Sequence, residues 1–341
     1  MTAELLLALA RCNVAAAVAI LAVLALREPL RHWLGAGRAY SVWLIVPLAV
    51  AGSLTPPALV SGAGGAVETT NDRLLAWLAV AGHARGLICL WLAGALAVAA
   101  TTVWRHRRFS AAVRAGRAGP AAVGIIQPRL VMPADFAARF TDEERRLVRA
   151  HERAHMDRLD ARYNAAAALA TCVCWFNPLL HLAVRAMRLD QELACDAAVL
   201  ERFPHARRLY GETLLRTHHA AVSPILGCQW GSRGAHPLEA RIRNLGRAPP
   251  SQARLDLGLT ILLASWACAF GAAWAAQPPI RLPETPTGPQ IILVELSQPT
   301  AADAKRDAAV FRLVVATRTP ALTAVTTAGL RSLPASPPAG L

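Results

Sequence analysis

Long apolar segments constrain the fold of this chain more than any other feature. Gly86 to Trp104 and Leu257 to Ala276 contain no charged residue, and Leu5 to Leu26 is apolar except for Arg11 and Asn13. Each segment is close to the ~20 residues that a helix needs to cross a bilayer. The hydrophobic share of 55% also exceeds the ~45 to 50% that is typical of soluble domains. We therefore predict a mostly α-helical integral membrane protein.

A fourth candidate span runs from Tyr40 to Leu54, beside Pro56-Pro57, and is short for a full crossing. A cleavable signal peptide is the alternative interpretation of the first segment. That segment lacks a basic region before its apolar run and an A-x-A site at its end, which favours a retained anchor. The sequence therefore predicts about four transmembrane helices, at about 5–26, 40–54, 86–104 and 257–276.

Arginine residues in the short loops predict the orientation, because loops rich in Lys and Arg stay cytoplasmic. Three arginines follow the first span and three follow the third, namely Arg27, Arg31, Arg38, Arg105, Arg107 and Arg108. The loop 55–85 has two arginines, offset by two acidic residues. We therefore expect an external N-terminus, a region 1–104 with three spans, a cytoplasmic domain 105–254, a fourth span 257–276, and an external, proline-rich, partly disordered tail 277–341.

The net charge of +14 comes almost entirely from arginine, since Lys305 is the only lysine. Nucleic-acid binding is one explanation for such a basic chain. The arginines are scattered through membrane-flanking segments, however, and no recognition motif accompanies them. We predict instead that the basic surface faces anionic lipid headgroups and that the chain does not bind nucleic acid directly.

The stretch His151-Glu152-Arg153-Ala154-His155 indicates a metal site. Residues i and i+4 share one face of a helix, so both imidazoles can reach one ion, while Glu152 can approach water that the ion activates. This pattern is the core of many zinc proteases. Motif matches also arise by chance, so a third ligand is needed to support the interpretation.

Glu192 is the candidate third ligand, because catalytic zinc takes three protein ligands and leaves one position open. Asp196 lies one helical turn further on, where it can accept the second ring N–H of a ligating histidine, and we expect His151 to be its partner. The alternative is that both carboxylates belong to a solvated acidic helix face. Their combination with the histidine pair favours one Zn²⁺ per chain, bound by His151, His155 and Glu192.

Local patterns place these residues on helices. Thr141 to Glu144 forms a capping box, which predicts that the helix with both histidines begins there. A second helix, carrying Glu192 and Asp196, should follow Asn177-Pro178. The apolar stretch Tyr163 to Phe176 holds too few consecutive apolar residues for a fifth span, so we expect a helix packed against the bilayer or the bundle.

Two short strands, 123–126 and 129–132, are expected before the metal helix. They can form an edge to which an extended peptide substrate adds, or they can simply cover the helical core. Five further histidines of this domain are candidate donors to the developing oxyanion, namely His181, His205, His218, His219 and His236. His236 is preferred, because Pro237 to Ile242 should be fixed against the core.

The cysteines suggest no disulfide framework. Cys12, Cys89 and Cys268 lie within predicted spans, where they behave as small apolar residues. Cys172, Cys174 and Cys195 lie near the metal motif in sequence. A C-x-C pair without a second pair is a weak zinc signal, so core packing is favoured.

The stretch from Pro120 to Leu245 resembles the penicillin-sensing antirepressor peptidases of the bla/mec type. The matching motifs, in order, are Val123-Gly124, Pro128-Arg129-Leu130-Val131-Met132-Pro133, His151-Glu152-Arg153-Ala154-His155, Asn177-Pro178, Glu192-Leu193-Ala194-Cys195-Asp196 and Leu238-Glu239-Ala240-Arg241-Ile242. The resemblance implies a gluzincin-like zinc endopeptidase of the bacterial inner membrane. In such proteins the substrate is a transcriptional repressor or the receptor itself.

The tail departs from this pattern. It is far shorter than a penicillin-binding sensor domain, and Ala302 stands three residues before Lys305, so an S-x-x-K nucleophile is not possible there. We expect at most a short strand pair, at 291–296 and 310–316. Direct acylation by a β-lactam is therefore not expected.

The sequence analysis thus predicts a membrane zinc endopeptidase in which Glu152 takes a proton from water and passes it to the leaving amine. Two alternatives stay open. One is a membrane quality-control zinc protease of the HtpX or CAAX-processing type. The other is a receptor that does not cut peptides and uses zinc only to hold its fold.

Overall fold

The computed structural model describes residues 2–56, 59–61, 83–117, 119–217, 228–229 and 235–277, and four strands beyond them. Helices dominate the described residues, as predicted. They are α1 (Thr2–Ala39), α2 (Ile45–Leu54), α3 (His83–Arg114), α4 (Phe136–Arg139), α5 (Asp142–Asp157), α6 (Asp160–Val173), α7 (Pro178–Arg202), α8 (Arg207–Thr217), α9 (Ala235–Leu245) and α10 (Gln252–Ala275). Two 3₁₀ turns, Tyr40–Leu44 and Pro204–Ala206, precede α2 and α8.

α1 and α2 form a helical hairpin. Gly35 has φ +75°, which interrupts helical geometry inside α1. A side chain at this position would also meet Pro250 at 3.2 Å. The returning arm brings the Ser53 hydroxyl within 3.7 Å of the Cys12 thiol, so the two arms run antiparallel. These arms contain the first two predicted spans.

Three segments among the described residues are long and apolar enough to cross a membrane: Leu5–Leu54, His83–Arg114 and Gln252–Ala275. The first contains both arms of the hairpin, where the sequence predicted two separate spans. The other two contain the remaining predicted spans. α3 continues past Trp104 to Arg114, so it includes the arginines that follow the third predicted span.

Helix α5, which carries His151 and His155, begins where predicted. The Thr141 hydroxyl accepts from the Glu144 backbone N–H, and the Glu144 carboxylate accepts from the Thr141 backbone N–H, so the capping box is confirmed. Asn177 caps α7 in a similar way, by accepting from the Leu179 backbone N–H. α5 packs on α8 and α9 through a buried cluster that includes Val148, Tyr210 and Leu245.

A small three-stranded sheet lies beside α5. Its strands are β2 (Ala121–Val123), β3 (Arg129–Val131) and β4 (Cys228–Gln229), in the order β3-β2-β4 with antiparallel pairing. The predicted strand pair therefore exists, with its first strand two residues earlier. β2 is the central strand of this sheet, because β4, from a distant part of the chain, pairs with its other side. β3 lies at an edge of the sheet, so the edge expected from the strand pair is present at β3.

A second compact unit contains the remaining strands. In it β1 (Leu59–Ser61) pairs in parallel with β5 (Ile280–Leu282). A separate antiparallel sheet has the order β6 (Gln290–Ile292), β7 (Val314–Thr319) and β8 (Leu322–Thr326). The predicted pair in the tail corresponds to β6 and β7, and β8 was not predicted.

Candidate metal centre

Three potential metal ligands converge from α5 and α7. The Nε2 atoms of His151 and His155 lie 3.1 Å apart. The Glu192 carboxylate places Oε2 3.4 Å from His151 Nε2 and Oε1 3.6 Å from His155 Nε2. Ligands about 2.05 Å from a tetrahedral zinc ion are about 3.3 Å from one another. The three groups are therefore spaced as corners of one tetrahedral site.

The outer ring nitrogens fix the tautomers of both histidines. His155 Nδ1 lies 2.8 Å from Asp160 Oδ2, and a carboxylate requires a donor. His151 Nδ1 lies 2.8 Å from the Tyr210 hydroxyl, which itself donates to Asp196. Both Nδ1 atoms therefore carry the proton. Each Nε2 is left with a lone pair that faces the other and the Glu192 carboxylate, and this arrangement suits a cation.

Arg241 on α9 holds the two carboxylates of α7. Its Nε and Nη2 donate to Asp196 at 2.8 and 2.6 Å, and its Nη1 forms a 2.8 Å ion pair with Glu192. Burial alone would raise the pKa of both carboxyls, but the Arg241 charge and the neighbouring histidines hold each pKa below its usual value. Both groups are therefore ionised at neutral pH, as a metal site requires.

Glu152 lies beside the two histidines and is fully buried. Burial raises the pKa of its carboxyl, while the two histidines and the backbone of Ala122 on β2 oppose the shift. A carboxylate with a raised pKa is a stronger base than one in water. Glu152 is therefore suited to accept a proton next to the metal centre.

Cys195 also lies close to the centre. Its Sγ is 3.3 Å from His155 Nδ1 and 3.7 Å from Asp160 Oδ2. These three residues form a second group of potential ligands. Burial raises the pKa of the Cys195 thiol to about 12. His155 directs Nδ1 toward this group and Nε2 toward Glu192, so Cys195 and Asp160 lie on the opposite side of the His155 ring from Glu192.

A small pocket lies beside His155 and is lined mainly by apolar groups from β2, the following turn, the end of α5 and the start of α6. Gly124 in this turn has φ +109°, and a Cβ there would meet the Gln127 carbonyl oxygen at 2.5 Å. Arg162 lies at the rim and donates to the Ile125 carbonyl.

The structure brings four of the predicted site residues together with Glu152, namely His151, His155, Glu192 and Asp196. Asp196 Oδ1 lies 3.3 Å from His151 Nδ1, and the Tyr210 hydroxyl bridges the two. His236 belongs to α9, but its side chain lies outside the described residues.

Sequence reasoning missed Asp160, Tyr210 and the role of Arg241. Asp160 stands five residues after His155, a spacing that could have suggested it. Arg241 lies in a motif that was noted without a role. No sequence signal distinguishes Tyr210, because its contact depends on how α8 packs against α5.

Together these features form a candidate metal centre on two helices beside a small sheet. The model of the BlaR1 peptidase M56 family matches residues 7–84 and 75–245. The chain therefore belongs to the BlaR1 peptidase M56 family. This agrees with the resemblance found over Pro120 to Leu245 and extends it toward the N-terminus.

Individual relatives are similar to this chain over a shorter stretch than the family model. Regulatory protein BlaR1 of Bacillus licheniformis is 34% identical over 98 residues, which is 28% of this chain and 16% of that protein. The methicillin resistance mecR1 protein of Staphylococcus aureus strain Mu50 is 30% identical over 100 residues, 28% of this chain and 17% of that protein. The similarity thus covers about a sixth of each relative's length.

Proposed function

We propose that this chain is an integral membrane zinc endopeptidase that cuts a protein substrate at the cytoplasmic face. The observation that carries the proposal is the convergence of three potential metal ligands from two helices. The distances between their ligand atoms match those between the corners of a tetrahedral site. Glu152 lies beside them with both of its carboxylate oxygens buried.

The membrane topology belongs to the same proposal. The two arms of the α1–α2 hairpin, α3 and α10 supply four spans, and the helical peptidase domain between the third and fourth is gluzincin-like. The arginines after the first and third spans favour an external N-terminus and a cytoplasmic peptidase domain. Residues 277–341 then lie outside.

His151, His155 and Glu192 would hold the ion, and the donor set of two imidazoles and one carboxylate is typical of catalytic zinc. Zinc bound there would polarise water and the substrate carbonyl. Glu152 takes the proton from the attacking water and delivers it to the leaving amine.

The residues around the ligands keep this geometry fixed. Asp160 and the Tyr210–Asp196 pair hold the two imidazole rings in the correct tautomer. Arg241 keeps Glu192 ionised and aimed at the centre. Burial of Glu152 excludes competing water from its carboxylate.

Regulatory proteolysis is the role we propose for this activity, with a transcriptional repressor or the chain itself as the substrate. The identities of the two relatives support this choice, since one is a regulatory protein and the other a methicillin resistance protein. A peptidase domain anchored in the membrane is also well placed to convert a signal into cleavage of a cytoplasmic protein.

The test compares Glu152→Ala with Glu143→Ala in cells. Glu143 is exposed on the first turn of the same helix, so its loss should leave the centre intact. We expect new protein N-termini, identified by mass spectrometry, in cells with the wild-type or Glu143→Ala chain and not with Glu152→Ala. All three purified proteins should retain zinc. Identical N-termini in all three cultures, with zinc present, would favour the non-proteolytic receptor instead.

A further inference from the structure

The helix pair α6–α7 carries an apolar stretch that the peptidase chemistry does not use. Tyr163 to Val184 contains no charged residue and is flanked by Arg162 and Arg185. The stretch is as long as a span, but Asn177-Pro178 ends one helix and begins the next. It therefore forms two antiparallel arms instead of a single rod.

The tip of this pair is fixed between two predicted spans. The Asn177 side-chain amide donates to the side-chain Oδ1 of Asn13 on α1 at 2.8 Å. On α3, the Trp91 indole N–H donates to the Val173 backbone carbonyl at 2.7 Å, and the Trp175 indole N–H donates back to the Trp91 carbonyl at 3.2 Å.

Gly94 completes this contact. A Cβ at Gly94 would approach the Trp175 ring to 2.1 Å, so the absence of a side chain on α3 admits the indole. The tip is thus held by three hydrogen bonds and by a close helix approach of the kind that small residues allow inside membranes.

Two of these contacts measure how deep the tip lies. Asn13 is eight residues from the outer end of the predicted span 5–26, and Trp91 is five residues from the outer end of 86–104. At ~1.5 Å per residue these positions are about 12 and about 8 Å below the outer surface of the apolar layer. Both measures place the tip in the outer half of the bilayer.

The opposite end of the pair lies at the cytoplasmic boundary. There Asp190 of α7 accepts from Arg27 at 2.9 Å, from Arg31 at 3.1 Å and from the Trp43 indole at 2.9 Å. Arg27 follows directly on the end of the first predicted span. Glu192 is two residues further along α7, so the metal centre lies just beneath the lipid.

The outward side of the pair is apolar. Leu169, Phe176 and Leu182 are 67%, 44% and 49% exposed in the isolated chain. Polar groups near the tip are paired, as a bilayer requires: the Thr171 hydroxyl donates to the Ala167 carbonyl, and His181 Nε2 lies 2.9 Å from the Trp175 carbonyl. In water these apolar side chains would be exposed to solvent, whereas in a bilayer they would contact lipid acyl chains.

We propose that residues 163–184 form a re-entrant hairpin that enters the bilayer from the cytoplasmic side and contacts acyl chains through Leu169, Phe176 and Leu182. This inference rests on the proposed topology, because the depth is measured from the predicted spans. α7 is then one continuous helix from the lipid-embedded tip to Glu192. A change in the packing of α1 or α3 around the tip has a direct structural route to the metal centre.

Single-cysteine variants of the full chain test the hairpin. The native cysteines, except the buried Cys195, are replaced first. Leu169→Cys is compared with two other exposed leucines, Leu90→Cys on α3 and Leu215→Cys on α8, which are 62% and 54% exposed. Each protein is labelled with an environment-sensitive fluorophore and reconstituted in phosphatidylcholine vesicles. Quenchers are a lipid with a nitroxide on its acyl chain and a water-soluble ion.

We expect the acyl-chain nitroxide to quench labelled Leu169→Cys as strongly as labelled Leu90→Cys. Labelled Leu215→Cys should be quenched only by the water-soluble ion. Leu182→Cys is a second position in the hairpin and covers the case in which the Leu169 variant does not fold. The proposal is overturned if a labelled hairpin position is quenched only by the ion, as Leu215→Cys is expected to be. If Leu90→Cys is also quenched only by the ion, the proposal that α3 spans the bilayer is wrong. Acyl-chain quenching of the Leu169→Cys and Leu182→Cys variants then decides the hairpin proposal by itself.

Discussion

Arg241 should be essential for stability, because it is the cation that two carboxylates of the metal centre share. Its guanidinium is fully buried, and Asp196 is fully buried beside it. In the variant Arg241→Met a side chain of similar length remains, but the charge and every donor are lost. Asp196 and Glu192 then keep their charges without this partner.

The magnitude follows from the cost of an unpaired buried charge. Removal of one partner of a buried ion pair typically destabilises a protein by about 3 to 5 kcal/mol. For a domain of this size, a loss of that order lowers Tm by roughly 6 to 20 °C. The carboxyl pKa values should also rise without the arginine, since its charge is the main effect that lowers them.

The stabilisation should depend on pH in a defined direction. A carboxyl whose pKa is lowered in the folded state stabilises that state above its unfolded pKa, and the effect is lost as the pH falls through the folded value. The difference between wild type and Arg241→Met should therefore be largest near neutral pH and should shrink in acid.

Arg243 offers a matched control on the same helix. Its side chain is 70% exposed and pairs with the exposed Glu239, so Arg243→Met should change stability by less than about 0.5 kcal/mol. Both variants are compared by thermal unfolding in detergent, with and without zinc. If Arg241→Met unfolds at the temperature of Arg243→Met, the shared-cation account of the centre is refuted.

Three further predictions concern the metal centre and the helices that pack around α7. Tyr210→Phe removes the hydroxyl between His151 and Asp196 and should weaken zinc binding by about 10- to 100-fold, measured by competition with a chromophoric chelator; unchanged affinity would contradict the bridging role. Gly94→Ala should destabilise the protein by about 1 to 3 kcal/mol, because the new methyl group meets Trp175, whereas Gly86→Ala on the same helix has open space and should not; equal unfolding temperatures would contradict the close contact. Asp190→Ala leaves the arginines of α1 without their buried acceptor and should lower stability by about 3 to 5 kcal/mol in urea unfolding.

Local sequence signals predicted the elements that carry the candidate ligands. The capping box at Thr141 and the Asn177-Pro178 break both act on the first turn of a helix, so they can be read without knowledge of the rest of the fold. The i, i+4 spacing of His151 and His155 then places both rings on one face.

Features that depend on distant packing could not be read in the same way. β4 pairs with β2 although more than 100 residues separate them in the sequence, and no local pattern predicts that pairing. Tyr210 reaches His151 only because α8 packs on α5. Hydropathy alone could not identify the docking of α6–α7 between α1 and α3, since a bent apolar stretch also fits a helix packed on a soluble core.

Zinc stoichiometry measured on the purified chain tests the central claim most directly. We predict one zinc ion per chain in the wild type and in Glu152→Ala, and less than a tenth of that in Glu192→Ala after dialysis, in line with the loss of one of three protein ligands, roughly a 10-fold effect or more. Glu143→Ala serves as the control for loss of an acidic residue. Full zinc content in Glu192→Ala, or no zinc in the wild type, would contradict the account of the centre.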